Sequence, residues 1–300
     1  MRALVTGASG FAGTHLTRAL RERGSEVIAP DCDVRDTEAV TAAIVDARPE
    51  IVYHLAAQAF VPAAIADPDE TYRINVRGTA NVLAALRALQ KQHAPARLLF
   101  VSSADAYGPQ PPQAYPLREE TLPRPANPYA ASKLAAEALV QGEVRAYGLD
   151  AVITRAFNHI GPGQSDRFAA ASFAKQLAGI AAGGEPVLLV GDLTAKRDFL
   201  DVRDVVQAYI SLAERGVSGE TYNVCSETAI SMREVLGELI RIARVPVEVR
   251  EDPARMRPSD VPLLYGSNEK LRAATGWSQQ IPLRRTLQDV YLDAQMTLNR

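Results

Sequence analysis

The sequence predicts an α/β protein: a doubly wound parallel sheet followed by a smaller α+β part. Three observations carry this. Short runs rich in Val, Ile and Leu alternate with longer stretches whose apolar residues recur three and four apart. A glycine-spaced turn follows the first run, and the alternation loosens after Arg155. The runs are Ala3–Val5, Val27–Ala29, Ile51–Leu55, Leu98–Val101 and Ala151–Ile153, nearly all apolar, as strands buried on both faces are. Helical spacing fills the gaps near residues 12–23, 37–47, 70–92 and 129–147, which supplies the crossovers that parallel strands need. The third helix is the clearest: Tyr72, Ile74, Val76, Val82, Leu83, Leu86 and Leu89 make a broad stripe, with Arg73, Arg77, Arg87 and Lys91 at its margins. Tyr107–Pro128 carries seven prolines and cannot be a helix; an ordered loop of that length is usually functional. Helices near 168–182, 202–214, 231–243 and 283–298 follow. The expected partition gives residues 1–157 plus about 196–215 to a dinucleotide-binding domain. Residues 158–195 plus 216–300 then form a substrate domain.

Composition narrows the class. The chain has 300 residues, 47% of them hydrophobic, enough for a dinucleotide-sized domain and a smaller cap. A formal charge of −2 supplies no general cationic field, so neither nucleic acid nor an anionic membrane surface is an expected partner. Cys32 and Cys225 form no C-x-x-C pair and the four histidines are scattered. No disulfide framework or metal site is therefore expected, and the thiols suit a reducing cytoplasm. The glycine loop interrupts any apolar leader, and no later run reaches the roughly 18 apolar residues of a membrane helix.

Gly7-x-x-Gly10-x-x-Gly13 stands between a strand and a helix, the context in which such a loop holds a dinucleotide. Gly7 makes the tight turn, Gly10 admits the pyrophosphate, and Gly13 allows close packing; Phe11 opens the helix whose N–H groups face the phosphates. The same letters could also be a plain turn. Asp31, 18 residues after Gly13, is placed to accept from the adenosine ribose, or else is a turn carboxylate in Pro30-Asp31-Cys32-Asp33. Facing the ribose it would repel a 2′-phosphate, so the reading leans to NAD(H) over NADP(H).

In "PYAASK", Tyr129 and Lys133 lie four apart on one face of a helix entered through Asn127 and Pro128. A phenol near its usual pKa of about 10 is a poor acid–base group unless cations favour the phenolate. Lys133 and an oxidised nicotinamide are the expected cations, and a shift of about three units is about 4 kcal/mol. Upstream, "VSSADAYG" brings Ser102 and Ser103 to a strand end, where ligands of such sheets bind. Glycine loop, strand-end serine and Tyr-x-x-x-Lys in this order outweigh the reading of each alone as a turn, a strand end or a surface pair.

With "HLAAQ", "NVRGT" and "RAFNHIGPGQ" added, the whole chain resembles the extended short-chain dehydrogenase/reductases that act on nucleotide sugars, with a Rossmann-type sheet. The resemblance implies Ser103 as catalytic hydroxyl, Tyr129 as acid–base, Lys133 as its cationic partner and ribose ligand, and Ser102 as a strand-end neighbour. It places Asp33 and Val34 along the adenine and Ala56 and Ala57 beside the cofactor. The later motifs "FNHIGPGQ", "AKRDFLDVRD", "YNVCS", "RPSDVPLLYGSNEKL" and "TGW" look most like GDP-4-dehydro-6-deoxy-D-mannose reductases, and slightly less like GDP-mannose 4,6-dehydratases.

By that resemblance Asn158 donates to a diphosphate or sugar oxygen, Arg197 and Arg257 clamp the diphosphate, Asp260 accepts from the nucleoside ribose, and Lys175 contacts base or phosphate. Arg197 could instead belong to a surface network with Lys196, Asp198, Asp201, Arg203 and Asp204. His159 is read as a packed loop histidine. A dehydratase carries a glutamate two residues after the serine, preceded by a polar donor; here Ala104 and Asp105 occupy those positions. Ala104 cannot donate and Asp105 reaches one methylene less far, so the expectation is a reductase making GDP-D-rhamnose, with a dehydratase or 4-epimerase as alternatives. A cofactor-binding sensor without chemistry is the remaining class. The helices near 70–92 and 129–147 would pair two copies into a homodimer.

Overall fold

Six strands form the main sheet in the order β2-β1-β3-β4-β5-β9, all parallel. They are β1 (Arg2–Thr6), β2 (Glu26–Ile28), β3 (Ile51–His54), β4 (Arg97–Ser103), β5 (Ala151–Ala156) and β9 (Thr221–Val224). This computed structural model describes residues 1–92, 94–256 and 261–298. The chain moves from β1 outward to β2, then returns to β3 on the other side. The crevice beyond the carboxyl ends of β1 and β3 is thus the switch point where such sheets bind ligands.

Helices cover both faces. α1 (Phe11–Glu22), α8 (Val202–Arg215) and α10 (Glu269–Thr275) seal one, where Leu16, Leu20, Val205, Tyr209, Leu271 and Trp277 are buried together. α2 (Thr37–Ala47), α5 (Gly78–Lys91) and α6 (Pro128–Tyr147) seal the other with Ile44, Val82, Leu86, Leu89, Ala136 and Val140. A second sheet joins β6 (Asn158–Ile160), β8 (Lys196–Asp201), β10 (Ala229–Ser231) and β12 (Leu263–Leu264). Beyond it α7 (Ala169–Ala181), α9 (Met232–Ala243) and α11 (Leu283–Leu298) pack around a third core with β7 (Val187–Val190), which pairs β11 (Glu248–Glu251). Among the described residues no helix is long and apolar enough to cross a membrane.

The expected partition differs from this arrangement at three elements. β9 and α10, expected in the substrate part, complete the main sheet and its α1 face, whereas β8, expected with the dinucleotide part, lies in the second sheet. The chain crosses between the layers more often than periodicity reveals. The helix expected over 70–92 forms without a break, but it is not α-helical throughout. α3 (Val61–Ala66) and α4 (Pro68–Tyr72) lead into a π-helical turn, Arg73–Arg77, before α5. The extra residue of such a turn rotates what precedes it. Tyr72, expected in the apolar stripe, is exposed, and Asn75 is buried instead. The proline-rich segment is ordered: Tyr107 Oη bonds Asn223 at 2.7 Å, Glu119 accepts from Asn223 N at 2.8 Å, and Tyr115 Oη donates to Leu263 O at 2.5 Å.

Candidate active site

The glycine loop is shaped by contacts that exclude side chains. Gly7 has φ +71°, and a Cβ there would lie 2.7 Å from Ala56 N; one on Gly13 would lie 2.1 Å from Gly7 O. These two glycines are needed for close approach within the loop and to the exit of β3. Gly10 is exposed and caps α1 without a side-chain bond, and the first turn carries no acid. Its N–H groups and dipole therefore face outward for an anion. An uncapped helix start over a cradle that a Cβ would fill fits the pyrophosphate of a dinucleotide. Ala56 and Ala57 stand beside it, fixed through a chain of bonds absent from the sequence reading. Ala56 N donates to Thr6 Oγ1 at 3.3 Å, that hydroxyl meets His54 Nδ1 at 2.7 Å, and His54 Nε2 meets Thr79 Oγ1 at 3.1 Å. Burial lowers the His54 pKa to about 3, so the imidazole is neutral at both ends of this chain.

The loop after β2 is open. Asp31 is exposed, and Val34 is buried beneath Gly78. Asp33 accepts from Arg35 Nε at 2.9 Å, and Arg35 also bonds Glu70. The Arg35 hydrogen bonds hold the Asp33 carboxyl down at about 2.

The catalytic candidates converge where β4 meets α6. Asn127 caps α6 by accepting from Ala130 N at 2.9 Å, and Pro128 takes the first helical position, where its missing N–H costs nothing. Tyr129, Lys133 and Ser103 are 8%, 4% and 9% exposed. Lys133 Nζ donates to Val101 O at 2.7 Å. Burial pushes the Tyr129 phenol well above its ordinary value; the Asp105 carboxylate adds to that, and a hydrogen bond with Ser103 opposes it. The expected pull toward phenolate belongs to Lys133 acting together with an oxidised nicotinamide; in the protein itself the ammonium is directed at the Val101 carbonyl, and burial lowers its own pKa to about 8. The phenol stands protonated, the form that can give a proton away.

Ser103 pairs with Ala156 in the sheet, so Asn158 emerges two residues past the partner of this candidate hydroxyl, and it is exposed. Asn158 in turn pairs with Phe199 of β8, two residues along from Arg197 and on the same side of that strand. The acids near Arg197 in sequence each have further partners of their own. Asp198 is fully buried on the opposite face and accepts from Ser226 N at 2.7 Å and Glu227 N at 3.0 Å. Asp201 pairs with Arg203, and Asp204 accepts from Ile281 N at 2.8 Å. Asp105 is half-buried, its N–H donating to Ser103 Oγ at 3.2 Å. Lys175 lies on α7 in an exposed ion pair with Asp166 at 2.5 Å. Arg257 and Asp260 lie outside the described residues.

Aromatic joints that the sequence reading missed link the two sides of the cleft. Phe11 stacks on His159 with centroids 5.9 Å apart and planes at 8°. His15 Nε2 meets Pro162 O at 2.9 Å, and Phe60 meets Phe168 edge-on at 6.0 Å. Their only sequence signal is an aromatic letter in a loop or at a helix start.

Residues 3–225 match the NAD dependent epimerase/dehydratase family. A GDP-6-deoxy-D-mannose reductase of Pseudomonas aeruginosa is 40% identical over 296 residues, covering 97% of this chain and 96% of that protein. A GDP-mannose 4,6-dehydratase of Sinorhizobium fredii is 29% identical over 271 residues, 84% of this chain and 76% of its own length. Among solved structures, RMD from Pseudomonas aeruginosa complexed with NADPH superposes with TM-score 0.92 at 38% identity, covering 99% of both chains. A Thermus thermophilus UDP-glucose 4-epimerase complexed with NAD follows with TM-score 0.87 at 32% identity, covering 98% of this chain and 99% of that one. With its glycine loop, strand-end serine and Tyr-x-x-x-Lys helix set in one crevice, this chain belongs to the NAD dependent epimerase/dehydratase family.

Proposed function

We propose that this protein is an NAD(P)H-dependent reductase that converts the 4-keto group of GDP-4-dehydro-6-deoxy-D-mannose to an alcohol, giving GDP-D-rhamnose. The observation that carries this is the strand end itself: a buried hydroxyl at Ser103 and a protonated phenol at Tyr129, with the inert methyl of Ala104 between Ser103 and Asp105. The nicotinamide, when bound, supplies hydride to carbon 4. Ser103 donates a hydrogen bond to the carbonyl oxygen and orients it. Tyr129 hands its proton to that oxygen as negative charge develops there, and Lys133 stabilises the phenolate left behind. Asn158 on β6 and Arg197 on the neighbouring β8 hold sugar and diphosphate oxygens in this reading; Arg257 and Asp260 complete this clamp, and Lys175 contacts the base once it leaves Asp166.

The nearness of Asp105 to Tyr129 favours a second reading, a GDP-mannose 4,6-dehydratase in which Asp105 removes the carbon 5 proton. Incubating the protein with GDP-mannose alone, and separately with the keto sugar plus NADH or NADPH, separates the two. Cofactor oxidation at 340 nm with the keto sugar, and no reaction of GDP-mannose, is expected. Keto sugar formed from GDP-mannose would make Asp105 the base and overturn the reductase reading.

Cofactor choice turns on the loop after β2. Asp31 and Asp33 stand against Arg35 there, and Glu70 of α4 faces both Arg35 and Arg73, an environment suited to a 2′-hydroxyl and hence to NADH. The RMD complex carries NADPH, and Arg35 is the cation that would meet a 2′-phosphate. A cytoplasmic homodimer fits the free thiols and the exposed Leu139 and Tyr147 on α6. The dinucleotide part then comprises the main sheet with its helices, and the substrate part the second sheet with α7, α9 and α11.

A further inference from the structure

The three residues that close β4 reach three different polar side chains of α6. Val101 O accepts from Lys133 Nζ at 2.7 Å, Ser102 Oγ donates to Glu137 Oε1 at 2.5 Å, and Ser103 stands near enough to the Tyr129 phenol to act on its titration. The outer two belong to the site described above; the middle one has no part in it. Glu137 is 2% exposed, one turn beyond Lys133, and Arg155 of β5 grips it with two arms, Nε to Oε1 at 3.0 Å and a terminal nitrogen to Oε2 at 2.7 Å. Arg155 is itself fixed, donating to Glu119 O at 3.2 Å and lying 4.7 Å over the Tyr107 ring. A buried ion pair gives up hydration that its mutual attraction only roughly offsets, so it is a poor source of stability. Its short directional bonds are well suited to holding two elements in one register.

We propose that Glu137, clamped by Ser102 and Arg155, is a positioning residue: it seats the first turns of α6 on the end of β4 so that Tyr129 and Lys133 meet Ser103. This rests on the reductase reading of those three residues and adds a group that touches none of the reacting atoms. The charge of Glu137 also opposes the effect of burial on Lys133 and favours its ammonium form. Other groups around Lys133 do not replace it. His54 on β3 is neutral, Asp105 after β4 acts on the phenol, and Arg155 on β5 repels the ammonium once Glu137 is gone. The π-helical turn contributes uncharged Asn75 to Ser132, and Arg87 of α5 is bonded to Glu143 farther along α6.

The test compares the full chain with its Glu137→Gln variant. Loss of the charge should move the alkaline limb of the kcat/KM profile down by about one pH unit from its parental position, a tenfold change in the ammonium equilibrium. kcat should fall while the cofactor Kd stays within about twofold, since the glycine loop is untouched. A ¹³Cε titration of Lys133 by NMR should show the same displacement. That readout needs no substrate, so a parent that fails to reduce the keto sugar would refute the reductase and still leave the clamp judged. Should Glu137→Gln fail to fold with Arg155 unpaired, Ser102→Ala keeps the ion pair and removes one hydrogen bond. It should cost about fivefold in kcat, with Ser102→Thr restoring it. A folded Glu137→Gln with parental limb and titration, or Ser102→Ala with parental kcat, overturns the proposal.

Discussion

The end of β4 and the loop after β2 serve the two ends of one cofactor in this reading, and they are built in opposite ways. At β4 the polar groups are buried, and most are held by one or two named partners: Lys133 by Val101 O, Ser102 by Glu137, Glu137 by Arg155. After β2 the charges are exposed and bonded mainly to each other, Asp33 to Arg35 and Arg35 to Glu70. Desolvation dominates at the first place, so protonation there departs far from ordinary values and each group is costly to replace. Water screens the second, where ion pairs contribute little and can be exchanged without harm to the fold. Chemistry is placed where the structure cannot easily change, and cofactor preference where it can.

The largest effect should come from breaking the buried end. Tyr129→Phe removes the proton donor without disturbing the glycine loop, so kcat should fall by about a thousandfold, within the range of general acid catalysis. Dinucleotide affinity by fluorescence titration should be near the parental value. A variant with parental turnover would remove Tyr129 from the reaction.

A pH series sharpens the comparison. The pKa of Lys133 is lowered by burial to about 8 in the fold, against about 10.4 in an unfolded chain. Below pH 8 both states carry the proton and the fold bears the full cost of a buried ammonium. Between about 8 and 10.4 the unfolded state binds more protons, so the contribution of Lys133 to stability rises with pH. Activity should therefore decline through that window while the parent gains in denaturant midpoint relative to Lys133→Met. A midpoint difference that stays flat from pH 7 to 10 would contradict the assigned shift.

The smallest effect belongs to the exposed end. Arg35→Ala should change unfolding free energy by no more than about 0.5 kcal/mol, as surface substitutions usually do. It should raise the KM for NADPH several-fold and leave that for NADH in place, since only a 2′-phosphate needs the guanidinium. Equal effects on the two cofactors would take Arg35 out of the choice.

How far the sequence could be read follows the same division. The first five strands, the helix over 129–147 and its entry at Asn127 and Pro128 were legible because each is set by neighbours within a few residues. Ser103 was separated from Ser102 only by resemblance, and its partners became visible once α6 lay against β4. The helix over 70–92 was legible, but the π-helical turn inside it was not, because such a turn has no letter of its own; Asn75 inside an apolar stripe was its one sign. The surface network around Arg197 was plausible from five charged neighbours, yet alternation along β8 turns Asp198 inward to Ser226 and Glu227. No local pattern reports that loop.

What the sequence by itself determined is what short-range spacing can express: a strand, a turn of small residues and a helix start for a phosphate, and a tyrosine and lysine one helical turn apart. Only the tertiary structure decided that β9 joins the main sheet, that the Tyr129 phenol keeps its proton, and that Glu137 is locked between Ser102 and Arg155. The physical reason is that protonation and register depend on how much water is removed and on partners far away in the chain. Neither quantity exists until the layers have packed.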